Sequence, residues 1–379
     1  MACVLALVAA GCGSSGAASR AKADAVRTPT RADLTNVADA VRKATNAPGA
    51  IVAVQIGAKR PTIVAVGDQR RSGPAMEPDT PFLTNSVSKA FTAATVLALV
   101  RDGKLALDDP VDRFVAGWDP RITVRMLLDH SSGLRSWGNK DDPDSMHENR
   151  RSTDFNRRFT PAESIEPVRV APLLAPPGTR THYSNANSIL AGEVVAAVTG
   201  TTIGAAIRTY VVDPLRLRST GYAPEGLEPR AGVPGVLWLD DAKTTEVDTS
   251  QFPQTSLLTL SGPSIGVVSD APDLLTFARA FLRGDFPDAR LARTARRIDR
   301  GGAGLGVIGF TRTGYCIFDG CPSGATYPRR GFAGNGISGA VRVVYDPDSD
   351  ATVLVFANSS EKGRLDPFVV RTFASLHAG

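Results

Sequence analysis

The stretch that decides the reading is TNSVSKAFTAATVLALVRDG, Thr84–Gly103. Asn85 is a residue type favoured at helix N-caps, and Val87, Ala90, Phe91, Ala94 and Leu97 follow at helical spacing, so the segment predicts a helix. Ser86 then falls in the first turn, where its N–H has no intrahelical partner and the helix dipole favours negative charge. Lys89, three residues on, lies on the same face one turn deeper. A serine hydroxyl is a weak nucleophile, and a partly desolvated lysine beside it can assist its deprotonation, while the Ser86 N–H can donate to an oxyanion. S-x-x-K alone is common and a plain helix start on the surface produces it equally well. The surroundings have to decide.

Upstream, RADLTNVADAVRKAT (from Arg31) reads as an amphipathic helix, and GAIVAVQIG and PTIVAVG read as two strands of a hairpin. The middle is mainly helical in pattern: ITVRMLLDH, ANSILAGEVVAAVTG and APDLLTFARAFLRG carry apolar residues at helix period. Strand signals return only late, in GLGVIGFTR, GAVRVVYDP and DATVLVFANS, before a last helix, DPFVVRTFASLHA. The expected class is α+β, with one antiparallel sheet built from both chain ends (about 31–82 and 291–379) and a helical region inserted between (about 83–290).

The chain's 379 residues are ample for a core, and its net charge of +5 is spread without a dense Lys/Arg block, which argues against nucleic acid as a partner. Residues 1–11 read as a signal peptide, because the apolar run Val4–Ala10 is too short to span a bilayer and ends in small residues. VAAGC resembles a bacterial lipoprotein signal, which implies cleavage before Cys12, acylation of Cys12 and a tether over 12–30. An ordinary secretory signal cut a little later is the alternative. Either way the expected location is outside the cytoplasm, at the cell envelope. There the pair Cys316 and Cys321 reads as a short-loop disulfide. With four His, none near that pair at ligand spacing, no metal or other cofactor is expected.

The blocks TNSVSKAFTAATVLALVRDGKLALDDPVDRF, ITVRMLLDHSSGL, PPGTRTHYSNANSILAGEVV, DPLRLRSTGY and SIGVVSDAPDLLTFARAFLRG resemble, in order, the serine β-lactamase/DD-carboxypeptidase family, closest to its class C-like branch. The resemblance runs from about residue 32 to the C-terminus and implies one hydrolase domain over 31–379 with the β-lactamase/transpeptidase-like fold. It implies Ser86 as nucleophile and Lys89 as its partner. The family's Y-x-N motif falls on Tyr183 and Asn185, the first a proton shuttle and the second a substrate-positioning amide. A neighbouring lysine is expected to favour tyrosinate at Tyr183.

The third family motif, K-T-G or H-x-G on the edge strand beside the nucleophile, falls in RRGFAGNGISGAVRVVYDP (Arg329–Pro347). One register puts Ala333-Gly334-Asn335 on it, with the second oxyanion N–H from Gly336; a one-residue shift puts Gly334-Asn335-Gly336 there. Neither supplies His or Lys. Arg329 is about 13 Å along the strand from Ala333, and Arg330 points to the other face. His182 is a candidate partial replacement for the cation, with a plain surface role as the alternative. The same glycines spell G-x-G-x-x-G, but no strand precedes them and a strand rather than a helix follows, which excludes a dinucleotide loop. GPSIG (Gly262–Gly266) matches the G-x-S-x-G nucleophile elbow, with Asp346 or Asp348 and His377 in the right order, but Pro263 fits that turn poorly. His130 reads as a structural helix-end residue, and DDPDSMHENRRS as a polar loop over the cleft mouth. The expectation is a monomeric, exported serine hydrolase that cleaves a β-lactam, a D-Ala-D-Ala-type peptide of the peptidoglycan or a small ester. The alternative is an envelope binding protein that keeps the cleft and has lost turnover.

Overall fold

Thr30 opens the first helix, α1 (Arg31–Thr45), with a reciprocal capping box: its hydroxyl accepts from the Asp33 N–H, and the Asp33 carboxylate accepts from the Thr30 N–H. The computed structural model describes residues 26–136, 154–226, 232, 234–238, 246–251, 253–299, 301–315, 324–336, 338–360 and 365–376. Cys12, Cys316, Cys321, His377 and the loop over 141–152 lie outside the described residues.

Eleven strands are described: β1 (Gly49–Ile56), β2 (Thr62–Gly67), β3 (Phe82–Leu83), β4 (Gly221–Tyr222), β5 (Val236–Trp238), β6 (Glu246–Asp248), β7 (Val267–Ser269), β8 (Ile308–Phe310), β9 (Arg329–Gly336), β10 (Gly339–Asp346) and β11 (Ala351–Ala357). Six of them form one antiparallel sheet in the order β2-β1-β11-β10-β9-β8. The N-terminal hairpin therefore lies beside the last strand, as Ala50↔Ala357 through Ile56↔Ala351, and closes the sheet from both chain ends. The middle of the chain is less purely helical than its periodicity suggests. It also holds a three-stranded sheet, β3-β7-β4, and the pair β5-β6, whose strands of two or three residues are too short to show alternation.

Four further long helices complete the frame: α2 (Ser88–Arg101), α3 (Asn185–Thr199), α4 (Ala271–Arg283) and α5 (Asp366–Ser375). Alternation along β1 sorts two cores. Ile51 and Ala53 face the core that holds α2, α3 and α4, whereas Ala50, Val52 and Val54 face α1 and α5. β10 and β11 are buried at every position, Arg342 and Asp346 included. α2 is buried at every residue from Ser88 to Leu99, so it is a central helix rather than an amphipathic surface one.

Arg342, in the middle of β10, is fully buried. Its guanidinium donates to Asp366 of α5 (3.2 and 3.4 Å), to the Gly334 and Val341 carbonyls and to the Asn335 side chain (3.2 Å). This pair ties α5 to the sheet on the face away from α2. Removing one partner leaves a buried charge uncompensated. Asp366→Ala is expected to lower stability by about 3–5 kcal/mol, read as a shifted midpoint in urea denaturation at constant slope.

Candidate active site

Asn85 does not cap the helix as its residue type suggests. It sits at φ 51 inside a 3₁₀ turn, Asn85–Val87, that precedes α2. Its amide donates to the carbonyls of Leu83 (3.3 Å) and Gly339 (3.0 Å), so the side chain is spent on tying the turn to β10. The turn is pinned on its other flank by β7. Thr84 Oγ1 donates to the Val267 carbonyl (2.9 Å), and Ser88 Oγ accepts from the Val267 N–H (3.0 Å). Between Pro81 and Ala90, Ser86 alone is not fully buried.

Two side chains meet at the Ser86 hydroxyl. Lys89 Nζ donates to Ser86 Oγ at 3.1 Å, and Tyr183 Oη lies 2.8 Å from the same oxygen. Nζ also donates to the Ser264 carbonyl (3.0 Å) and lies 4.9 Å from the centre of the Tyr183 ring. Burial holds the Lys89 amine well below the usual lysine range. Burial likewise pushes the Tyr183 hydroxyl up from its ordinary value, with the hydrogen bond to Ser86 only partly opposing it. Desolvation thus outweighs the neighbouring lysine, and Tyr183 is a neutral phenol rather than the tyrosinate expected from its neighbour. Burial thus disfavours the charged form of both partners of Ser86.

Tyr183 and Asn185 flank Ser184, which caps α3 by accepting from the Ala186 N–H (3.2 Å) and donates to the Arg135 carbonyl (2.7 Å). With Ser184 buried and anchored, Tyr183 and Asn185 keep partial exposure on either side of it. His130 ends its helix at φ 62, and it also organises this loop. Its Nδ1 accepts from the Ser184 N–H (3.3 Å) and faces the Asn187 amide (3.0 Å), and its ring lies 4.9 Å from that of Tyr183. Burial first, and then the neighbouring Lys89 and His182, hold the imidazole down to about 3, so it stays neutral. His182 donates its backbone N–H to the His130 carbonyl (2.8 Å), and its Nε2 is buried without a partner among the described residues.

Gly334 and Gly336 pack directly on the nucleophile turn. A Cβ on Gly334 would lie 2.3 Å from the Thr84 carbonyl oxygen, and one on Gly336 1.9 Å from Asn85 Oδ1. The direction of the β9 N–H groups follows from its pairing. Gly309 of β8 donates its N–H to the Gly302 carbonyl (2.9 Å), away from β9, so Ile308 and Phe310 face β9 through Gly331 and Arg329. Alternation extends that orientation to Ala333 and Asn335, past the end of β8, and turns Gly334 and Gly336 toward β10. The open-edge N–H beside Ser86 is therefore that of Asn335, between the two packed glycines, and not that of Gly336. The side chains of Ala333 and Asn335 point to the α5 face, where Asn335 accepts from Arg342, so only their backbone reaches the cleft edge.

The sequence profile of the Beta-lactamase family matches residues 34–371. This chain belongs to the Beta-lactamase family. Among its relatives, Esterase EstB from Burkholderia gladioli is 36% identical over 163 residues, 40% of this chain and 41% of that protein. Penicillin-binding protein 4 from Amycolatopsis lactamdurans is 27% identical over 253 residues, 64% of this chain and 62% of the relative. The chain thus spans less than two thirds of the length of these curated relatives. In fold it resembles a D-stereospecific amidohydrolase from Streptomyces sp. at a TM-score of 0.74, with 24% identity over 90% of this chain and 98% of the other. A penicillin-binding protein from Bacillus halodurans gives a TM-score of 0.73 at 22% identity, over 89% of this chain and 98% of the other. The β-lactamase/transpeptidase-like fold expected from the sequence is the one observed.

On this family's edge strand, the face toward the nucleophile carries Phe332 two residues before Gly334. Its ring packs 5.6 Å from Phe277, which stacks at 3.9 Å on Phe91 of the nucleophile helix. A register Phe332-Ala333-Gly334 fits the N–H parity better than either register read from the sequence, and it too lacks a cation. Arg329 turns away to Asp346 (3.3 Å) and the Phe373 ring. Ser264 of GPSIG is fully buried and donates its hydroxyl to the Ser261 carbonyl (2.8 Å), which rules it out as an exposed nucleophile. A methyl at Gly334 meets backbone that cannot yield. Gly334→Ala is expected to cost about 1–3 kcal/mol and to slow covalent labelling of Ser86 more than its melting shift accounts for, measured by fluorophosphonate kinetics beside thermal denaturation.

Proposed function

We propose that this chain is an exported serine hydrolase that cleaves a small ester or amide through an acyl-enzyme on Ser86. The observation that carries it is the convergence of Lys89 Nζ (3.1 Å) and Tyr183 Oη (2.8 Å) on Ser86 Oγ, with both partners desolvated. A neutral amine next to the hydroxyl is a general base, and a neutral phenol beside the same oxygen passes protons on. As Ser86 Oγ bonds to the substrate carbonyl carbon, its proton goes to Lys89. The carbonyl π electrons move to oxygen, and the N–H groups of Ser86 and Asn335 hold that oxyanion. Collapse re-forms the carbonyl and expels an alcohol or amine, protonated from Lys89 through Tyr183. Water, deprotonated by the same base, then attacks the ester of Ser86 and releases the acid. Asn185 at the start of α3 positions the acyl group.

Substrate preference follows from Phe332. With a phenyl ring where the family carries a cation, a substrate carboxylate loses a charge-assisted hydrogen bond of about 1.5–3 kcal/mol, or roughly 10- to 150-fold. Carboxylate-free esters are favoured over penicillins and D-Ala-D-Ala peptides. Export and attachment through Cys12 rest on the N-terminal residues alone, and incorporation of labelled palmitate, lost in Cys12→Ser, is the expected result.

A fluorophosphonate is expected to label Ser86, located by mass spectrometry, and Ser86→Ala is expected to abolish both the label and p-nitrophenyl ester hydrolysis. A folded protein that takes no label overturns the enzyme in favour of a binding cleft without turnover. Tyr183→Phe is expected to lower kcat by about 10²- to 10⁴-fold. The base works only as the amine, so the acylation rate rises with pH through the pKa of Lys89 and then levels. Because burial depresses that pKa, the plateau is expected to begin well below the ~10.4 of an ordinary lysine. A pH profile of labelling that keeps climbing toward that value would contradict a neutral Lys89.

A further inference from the structure

Behind the wall that holds Lys89 lies a second cavity of about 350 Å³, between α3, β4 and the short helix Pro161–Arg169. Its floor includes Gly262 and Pro263, and the next residue along is Ser264, whose carbonyl anchors Lys89 on the opposite side. The Thr92 hydroxyl donates to the Pro263 carbonyl (3.3 Å), tying this floor to α2. Phe159, Ile189 and Ile203 give the cavity an apolar lining.

Two polar side chains there have no protein partner among the described residues and are open to the cavity. Tyr222 is 3% exposed and lines the cavity, and its hydroxyl has no hydrogen-bond partner among the described residues. Glu193, half-buried on α3, likewise has no hydrogen-bond or ion-pair partner among them. Glu225 is occupied: it accepts from the Thr202 hydroxyl (2.5 Å) and the Gly204 N–H (3.2 Å). Arg158 at the mouth donates to the Pro224 carbonyl (3.3 Å). A phenol and a carboxylate that no protein group engages, facing a space large enough for a small molecule with an apolar lining, offer such a molecule two acceptors beside an apolar wall.

We infer that this cavity binds a small organic ammonium ion, with the charged nitrogen donating to the Glu193 carboxylate and the Tyr222 oxygen and an apolar body against Phe159, Ile189 and Ile203. Two carboxylates against one engaged arginine disfavour an anion. Burial raises the Glu193 carboxyl, and burial first, then Glu225 and Glu193, raise the Tyr222 hydroxyl, which agrees with a site short of positive charge. A bare metal ion would find too few oxygens beside these walls.

The probe is 2-phenylethylammonium, titrated calorimetrically into the full chain, with 2-phenylethanol as its uncharged counterpart. Saturable binding at about millimolar concentration is expected, unchanged in Ser86→Ala because the site is separate from the nucleophile. Glu193→Gln is expected to weaken it by about tenfold or more, and the alcohol to bind the wild type more weakly by a similar factor. Tyr222→Phe gives the same readout through the second contact, should Glu193→Gln not fold. Binding that is absent, indifferent to both variants, equal for the alcohol, or lost in Ser86→Ala overturns the assignment.

Discussion

An amine buried beside an alcohol, with no carboxylate among its hydrogen-bond partners, is the constraint on which this site depends. Taking an ammonium out of water costs several kcal/mol unless an anion compensates. The atoms that receive Lys89 Nζ are a hydroxyl and a carbonyl, Ser86 Oγ and Ser264 O. They suit a neutral amine, and the fold supplies the dryness that keeps it so: α2 is buried on every side, with Phe91 stacked on Phe277 two residues beyond Lys89. The same dryness decides Tyr183. A tyrosinate beside a lysinium would need both charges desolvated, whereas the neutral pair needs neither. The two groups proposed as base and shuttle are therefore shaped by packing more than by sequence neighbours.

The frame and the nucleophile turn were largely legible in the sequence. α1 begins and ends where RADLTNVADAVRKAT does, and the hairpin β1-β2 and the strands β10 and β11 follow their apolar runs. Those elements bury long periodic faces, so pattern and structure have one cause. The short strands β3, β4 and β7 carry no such signature, because two or three residues cannot alternate. Asn85 misled for a related reason. A cap preference describes an isolated helix end, and here the edge of β10 offers the amide a carbonyl that the preference cannot foresee.

The glycine-rich strand was harder still. FAGNG contains two glycines that pack on the nucleophile turn, and a one-residue choice between registers exchanges the N–H that faces the cleft for one that faces β10. The sequence marks GLGVIGFTR as a strand but not the pairing of β8 with β9 that sets that parity. Once the parity is known, Phe332 falls on the face toward α2, and the missing cation becomes a packing substitution. The ring joins Phe277 in the core, and the charge was exchanged for apolar contact between sheet and helix. An apolar ring fits that core, where a cation would be costly to bury, and under the proposed function its lack of charge narrows the substrates the site can hold.

GPSIG shows how a motif can be right about location and wrong about role. Its serine lies 3.0 Å from the lysine amine, which is where a catalytic serine would be sought, but it meets the lysine through its carbonyl while its hydroxyl turns back to Ser261. Pro263 and the left-handed Gly262 make that geometry, bending the chain so that backbone rather than side chain faces α2. The carbonyl is a better partner for a neutral base than a second hydroxyl would be. It accepts one amine proton and offers none, so it fixes the nitrogen without competing for its lone pair. A segment that reads as a rival nucleophile thus orients the base of the one the fold exposes.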